Sequence, residues 1–411
     1  MKLKEEKNNK VSDGWEIRIA ETVDQIEEIR SVWEKMQNTE EFPSINADID
    51  HYLSVLKTMN KNVQPYVITL AKEGVPEAMI IARIQMHEIK IMLGYKSLLS
   101  PKLKCLTVVY GGILGELKSD VCSFLISALI KQLKSRKVSM VYFNRLRTDS
   151  QMFNLSRKMP VFLCRDYIPE VDLHWQTIAL DNKEPFSKTL SRNERRNIRR
   201  HTKQLEEKAL NQVILKSFHG LETLEEFISI ASEISSVTYQ KTLTGGFTDS
   251  NFVRSLLEQA AKKNWLRAYI LYAGSEPIAF EVGVVYKSTY FAEYRGYHPE
   301  WSCGSPGSIL LLKVLEEFSR DPDIETYDYG FGDAPYKQRY GQNHWFEAPI
   351  HIFAPGLYPI SVNLMRTLVI ALNVSIKYIL SKSGLINRIK KMWRKNLEQK
   401  ALEKSTKSKV A

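Results

Sequence analysis

The sequence is poor in the features that allow a quick assignment. Its 411 residues include four cysteines, Cys105, Cys122, Cys164 and Cys303, which form no CxxC pair and no zinc-spaced cluster with histidine. That excludes a zinc finger, a redox dithiol and a disulfide framework, so reduced structural thiols of a cytoplasmic chain are expected, and no metal. No Walker-type phosphate loop occurs, and His219, His298, His344 and His351 are scattered without a Ser-His-Asp pattern. The opening Met1-Lys2-Leu3-Lys4-Glu5-Glu6-Lys7 lacks an apolar core, so no signal peptide is expected. Nor is there an uncharged apolar run of the ~18 residues that a membrane span requires. The nearest stretch, Leu364 to Leu380, is interrupted by Arg366 and Lys377.

What is present is ordinary in bulk: 44% hydrophobic and 26% charged residues, as in globular proteins. The length predicts two domains rather than one core. The net charge of +11 favours anionic partners such as CoA, a nucleotide sugar, tRNA or acidic lipid, with a merely solvated basic surface as the alternative.

Along the chain one order of elements occurs twice, offset by roughly 200 residues, beyond the usual period of a solenoid. After an opening strand at Trp15–Ile19 and helices at Val23–Met36 and Ile49–Met59, the first half reads hairpin (66–70 and 78–82 around Gly74), strand 106–110 with Gly111-Gly112, helix 121–133 and strand 140–143. The second reads hairpin (268–271 and 278–285 around Gly274), strand 289–294, a glycine-broken loop, helix 308–318 and strand 325–329. Between them Ser191 and Glu194 form a capping-box pattern, predicting a helix from Ser191 that carries Arg192, Arg195, Arg196, Arg199 and Arg200. This is a solvated face or, with arginine forks suited to phosphate, an anion-binding wall.

The chemistry concentrates between Pro277 and Gly341. In the loop Trp301-Ser302-Cys303-Gly304-Ser305-Pro306-Gly307-Ser308, the glycines permit a tight turn and Pro306 suits a first helical position. A helix opening there presents free N–H groups to an anion. Lys337, expected on a following strand, would bring a cation near a developing oxyanion or a phosphate. Asp333, Glu281 and Glu293 are candidate bases for an ammonium nucleophile, the two glutamates alternatively pairing with Arg295. Asp328 is suited to orient Lys337 or cap a turn, and Tyr336 and Tyr340 to pack or bind substrate.

The run Tyr327-Asp328-Tyr329-Gly330, Gly332-Asp333, Tyr336-Lys337, Tyr340-Gly341 resembles the closing motif of GNAT-type acyltransferases of the CelD-like, cellulose-biosynthesis-associated group. It is also similar to the FemABX peptidyl transferases. Glu276-Pro277-Ile278-Ala279, Tyr294-Arg295-Gly296-Tyr297 and Ser305-Pro306-Gly307 resemble that family's hairpin entry, donor strand and loop, and the arginine helix its interdomain region. The likeness covers about 180 to 355 and departs at Trp301, where a Gln or Arg is usual. It implies an α/β (α+β) fold of two tandem GNAT-like units, at 1–175 and 176–356, each a mixed, mostly antiparallel sheet flanked by helices. It further implies transfer of an acyl group from acyl-CoA, held by Gly304, Ser305, Gly307, Ser308 and Arg295, to an amine or hydroxyl of a sugar, glycan or envelope precursor. Tyr336, Tyr340, Asp328, Arg196 and Arg200 would hold substrate. FemABX-like transfer from aminoacyl-tRNA is the alternative, and a non-catalytic binding protein a second. The tail 357–411 sets an apolar stripe (Leu364, Leu368, Leu372, Ile376, Ile379) before a basic segment from Arg388 to Lys400 that includes Trp393, which reads as a helix packed on the domain or as peripheral contact with anionic membrane.

Overall fold

The computed structural model describes residues 9–10, 14–40, 42–59, 62–94, 96–178, 186–210, 212–238 and 246–382. The lead-in Met1–Lys7 and the basic segment Arg388–Lys400 lie outside them. The elements run β1 (Asn9–Lys10), β2 (Trp15–Ala20), α1 (Val23–Glu28), α2 (Arg30–Thr39), α3 (Ile49–Thr58), β3 (Gln64–Lys72), β4 (Val75–Glu88), β5 (Ile91–Leu93), β6 (Lys96–Leu99), β7 (Lys102–Gly115), α4 (Ser119–Lys134), β8 (Met140–Arg147), α5 (Gln151–Lys158) and β9 (Asp172–Thr177). They continue with α6 (Arg192–Ala209), β10 (Val213–Phe218), α7 (Leu221–Val237), α8 (Asn251–Lys262), β11 (Leu266–Ala273), β12 (Glu276–Tyr286), β13 (Thr289–Tyr297), α9 (Pro306–Phe318), β14 (Thr326–Phe331), α10 (Pro335–Tyr340), β15 (Asn343–Phe353) and α11 (Leu357–Lys382).

Two compact units result. The first comprises residues 1–172 together with 346–383, and the second takes in 173–345. In the first, strands lie in the order β1-β2-β3-β4-β7-β8-β15. All pairs are antiparallel except β7 with β8, which are joined by the crossover helix α4. In the second the order is β9-β14-β13-β12-β11-β10, again antiparallel except β13 with β14, joined by α9. The repeated order of elements is therefore a repeated unit, each a mixed sheet with helices.

The expected boundary at 356 moves. The chain returns to the first unit at Phe346, because Glu347–Phe353 pairs antiparallel with Arg147–Met140 of β8. Other differences are local. The expected helix 23–36 is broken at Ile29, whose φ of −100° and ψ of 9° are not helical. Gly111 and Gly112 fall inside β7 at a bulge rather than at its end. Gly111 has φ of +66°, and a Cβ there would stand 2.4 Å from Ser44 Cβ, so only glycine fits. Helix α9 buries residues on nearly every face, Pro306, Ile309, Leu312, Val314 and Phe318 among them, which is why its pattern is apolar throughout.

Helix α11 contains a 23-residue stretch, Leu357–Ile379, long and apolar enough by length and composition to cross a membrane. The sequence test missed it by demanding freedom from charge. The helix instead meets the first unit through Arg366, whose Nη1 donates to Asp166 Oδ1 at 2.9 Å. The same carboxylate accepts from the His351 backbone N–H and sits 2.9 Å from His351 Nδ1.

Candidate active site

Strands β12 and β13 and the start of α9 build one recess of the second unit. Their sequence fits the job: β-branched and aromatic residues hold the strands, and the bulge opens them. Val282 pairs with Tyr294 but Gly283 with Ala292, which leaves Glu293 as the extra residue. Beyond Phe291, β13 has no further ladder partner on β14, the pairing being limited to Thr289–Phe291 with Thr326–Asp328. The two parallel strands thus part where the recess begins.

A cavity of about 240 Å³ lies there, lined by Glu281, Arg295, Ser305, Gly307, Ser308 and Tyr336 among others. Ser305 is the N-cap of α9 in the left-handed region, with φ of +48° and no side-chain capping bond, and Pro306 follows at the first helical position. Ser308 N donates back to Ser305 O at 3.0 Å. A Cβ at Gly307 would meet only Tyr297, at 3.5 Å, so the space beside this residue is open. A wider groove of 620 Å³ at the far end of α9 is lined by Lys313, Glu316, Glu317, Arg320 and Asp321. It lacks a helix N-terminus, so the smaller recess is the stronger candidate.

Glu281 is 1% exposed, and Arg295 Nη2 donates to its Oε2 at 2.8 Å. The Tyr327 hydroxyl donates to Glu281 Oε1 and receives a second Arg295 bond. Burial alone would lower the Arg295 pKa, but the Glu281 carboxylate and the surrounding tyrosines override it and hold the guanidinium charged. Burial likewise pushes the Tyr327 phenol far up. The Arg295 guanidinium also lies 4.7 Å over the Tyr336 ring, which tethers that tyrosine to the recess. Glu293 is exposed at the bulge of β13 and does not line the recess, and partial loss of solvation raises its carboxyl above the ordinary range.

The sequence-predicted residues divide accordingly. The recess gathers Glu281, Arg295, Ser305, Gly307, Ser308 and Tyr336. Gly304 serves packing: a Cβ there would strike Leu205 of α6 at 2.2 Å. Lys337 is in the short helix α10, not on a strand. It is 5% exposed and donates to the Gly330 and Phe331 carbonyls at 2.9 and 2.6 Å. Asp328 caps the same turn by accepting from Gly330 N at 2.7 Å, and binds His174 and Gln176 rather than orienting Lys337. Asp333 is exposed and accepts from Gln338, while Tyr340 is buried with its carbonyl accepting from Thr177. Arg196 and Arg200 stand exposed on α6, whose capping box at Ser191 and Glu194 is formed as expected. Trp301, at the departure from the donor-loop pattern, is buried and donates its indole N–H to Glu276 at 2.8 Å.

Sequence reasoning missed Tyr327 as a partner of Glu281; the signal was available, since two buried strand positions with one acid leave a hydroxyl to satisfy it. It also missed His174, 1% exposed, stacked 4.5 Å from Trp345 and bonded to Asp328. His174 belongs to β9, some 150 residues from Asp328, and no local pattern links them. Among the described residues no group of His, Cys, Asp and Glu is suited to hold a metal ion.

Comparison with known proteins agrees with this geometry. Residues 192–338 match the family described as an acetyltransferase (GNAT) domain. The crystal structure of FemX matches with a TM-score of 0.54 at 10% identity, over 83% of this chain and 98% of that one. A conserved protein of unknown function from Bacteroides thetaiotaomicron matches with a TM-score of 0.50 at 10% identity, over 82% and 99%. At such identities the likeness shows the fold. No curated protein matches in sequence.

Proposed function

We propose that the second unit, which carries the acetyltransferase domain, moves an acyl group from acyl-CoA to an amine or hydroxyl of a sugar, glycan or cell-envelope precursor on the cytoplasmic side. The observation carrying this reading is the recess in which the first turn of α9 faces Arg295 across open space at Gly307. The residues fit a pyrophosphate: the helix start offers the Gly307 N–H and positive dipole, Ser302, Ser305 and Ser308 offer hydroxyls, and Arg295 is held charged. The side of β13 that β14 leaves beyond Phe291 suits the amides of an extended pantetheine arm.

The acceptor would attack the thioester carbonyl, forming the new C–N or C–O bond. The acceptor's proton passes to a base, the C–S bond breaks, and the thiolate leaves to be protonated from solvent. Of the three carboxylates, we assign the base to Glu293, which is exposed at the bulge of β13 two residues from Arg295 and has a raised pKa. Glu281 is already committed to Arg295 and Tyr327. Lys337 takes a positioning part, holding the Gly330–Phe331 turn beside Tyr336.

The test is thermal stabilisation by CoA alongside turnover. CoA raises the melting temperature of the wild type, and Gly307→Leu abolishes that rise without lowering the melting temperature of the free protein. Glu293→Gln keeps the CoA response and lowers kcat by about a hundredfold or more. A CoA response that survives Gly307→Leu refutes the donor site. A second reading rests on α6, where Arg192, Arg196, Arg199 and Arg200 are exposed along one helix, as binding of aminoacyl-tRNA phosphates requires. It predicts retention of tRNA that falls steeply with salt, and no response to CoA.

A further inference from the structure

Helix α11 turns its largest apolar side away from the unit it packs on. The side it lays on the first unit mixes Val362 and Val369, which pack into an apolar cluster, with polar residues. Asn363 Nδ2 donates to the Leu163 and Arg165 carbonyls at 3.1 and 2.8 Å. Arg366 reaches Asp166, and Asn373 bonds the Met92 carbonyl at 2.6 Å while accepting from Gly94 N at 2.9 Å. The side left open carries Leu364, Met365, Leu368, Leu372, Ile376 and Ile379, between 39% and 70% exposed. A helix on the surface of a water-soluble domain shows the reverse distribution. Polar groups turned toward protein with leucines turned away is the arrangement of a helix facing hydrocarbon.

The segments under α11 extend the apolar surface. Val161 and Phe162, in the turn that receives Asn363, are 61% and 65% exposed. Leu98 and Leu99, on the strand paired with Ile91–Leu93, are 44% and 48% exposed. Exposed apolar residues gathered on α11 and on segments near it mark a contact surface. Charge identifies what it contacts. From Leu357 to Ala411 the sequence holds twelve Lys and Arg against two Glu, which is ten of the chain's eleven net positive charges, and Leu357–Lys382 holds no acid at all. A helix with one apolar side beside a strongly basic stretch suits anionic lipid headgroups over an acyl layer.

We infer that the first unit docks on an anionic phospholipid bilayer, with α11 lying in the plane of the interface and its leucines toward the acyl chains. The polar bonds from Asn363 to Asn373 hold about 15 Å of helix axis lengthwise against the unit, which fits a helix lying on the membrane and not one crossing it. This inference is independent of the acyl-transfer reading.

The full-length protein, synthesised cell-free in the presence of vesicles and then floated, tests it. Flotation is expected with phosphatidylcholine vesicles containing phosphatidylglycerol, to fall about tenfold on phosphatidylcholine alone, and to be reversed by alkaline carbonate. The double variant Leu368→Asp and Leu372→Asp should float about tenfold less than wild type while keeping the wild-type circular dichroism spectrum, because both side chains face outward. Several results overturn the inference. They are no flotation on the anionic vesicles, equal flotation of the double variant (binding by charge alone), or a carbonate-resistant pool (a spanning helix). A dimer that the same substitutions dissociate, with no flotation, would assign the surface to a second copy of the chain and overturn it too.

Discussion

Replacing Arg295 by Met isolates the buried acid at the heart of the second unit. Glu281 is 1% exposed and would lose the guanidinium that now sits 2.8 Å from Oε2. Stranding a buried charge costs about 3–5 kcal/mol. The Tyr327 hydroxyl remains on Oε1, so the low end applies, about 3 kcal/mol. Adding Glu281→Gln removes the stranded charge, and the amide oxygen can still accept from Tyr327. The double variant should therefore lie within about 1 kcal/mol of wild type, about 2 kcal/mol more stable than Arg295→Met alone. Urea unfolding followed by tryptophan fluorescence measures this, since Trp175, Trp265, Trp301 and Trp345 all belong to the second unit. An Arg295→Met variant that loses less than about 1 kcal/mol, or a double variant as unstable as the single, refutes the view that Arg295 neutralises Glu281.

Two further outcomes follow from buried ionisable groups. Burial pushes the His351 imidazole down to about 4, so between its ordinary 6.5 and about 4 the unfolded chain binds a proton that the native state refuses. Stability of the first unit is thus fully present above 6.5 and declines by about 3 kcal/mol as the pH falls to about 4; His351→Asn should flatten that decline in urea titrations across this range. Lys337→Met removes a charged donor from two carbonyls and should cost about 2 kcal/mol of stability without altering the CoA-induced rise in melting temperature. Loss of the CoA response in a variant that still melts as wild type would instead make Lys337 a donor ligand.

The repeated units were legible because hairpins around Gly74 and Gly274 and apolar strands signal locally, and the capping box at Ser191 named its helix to the residue. The recess was legible in part, since Ser305, Gly307, Ser308 and Arg295 are close in sequence. What failed was long-range pairing. Gly304 looked like a ligand glycine but makes room for Leu205 of α6, about 100 residues earlier. Lys337 looked like a free cation, yet the two carbonyls it caps become available only because β14 ends in a turn at Gly330, with φ of +67°. The polar underside of α11 was hidden too: its apolar stripe reads as a core face until Asn363 and Asn373 are seen bonding inward.

The return of the chain to its starting unit has a practical corollary for dissecting the protein. A gene truncated after Asp172 would encode β2 to β8 and their helices, yet not a complete first half. The outer amides of β8 would lose the strand that hydrogen-bonds them, and Asp166 would keep its buried carboxylate without His351 or Arg366 to neutralise it. Such a fragment should aggregate through its bare edge, whereas excising 173–345 and splicing the flanks with a short linker keeps β15 on β8 and keeps His351 and Arg366 on Asp166.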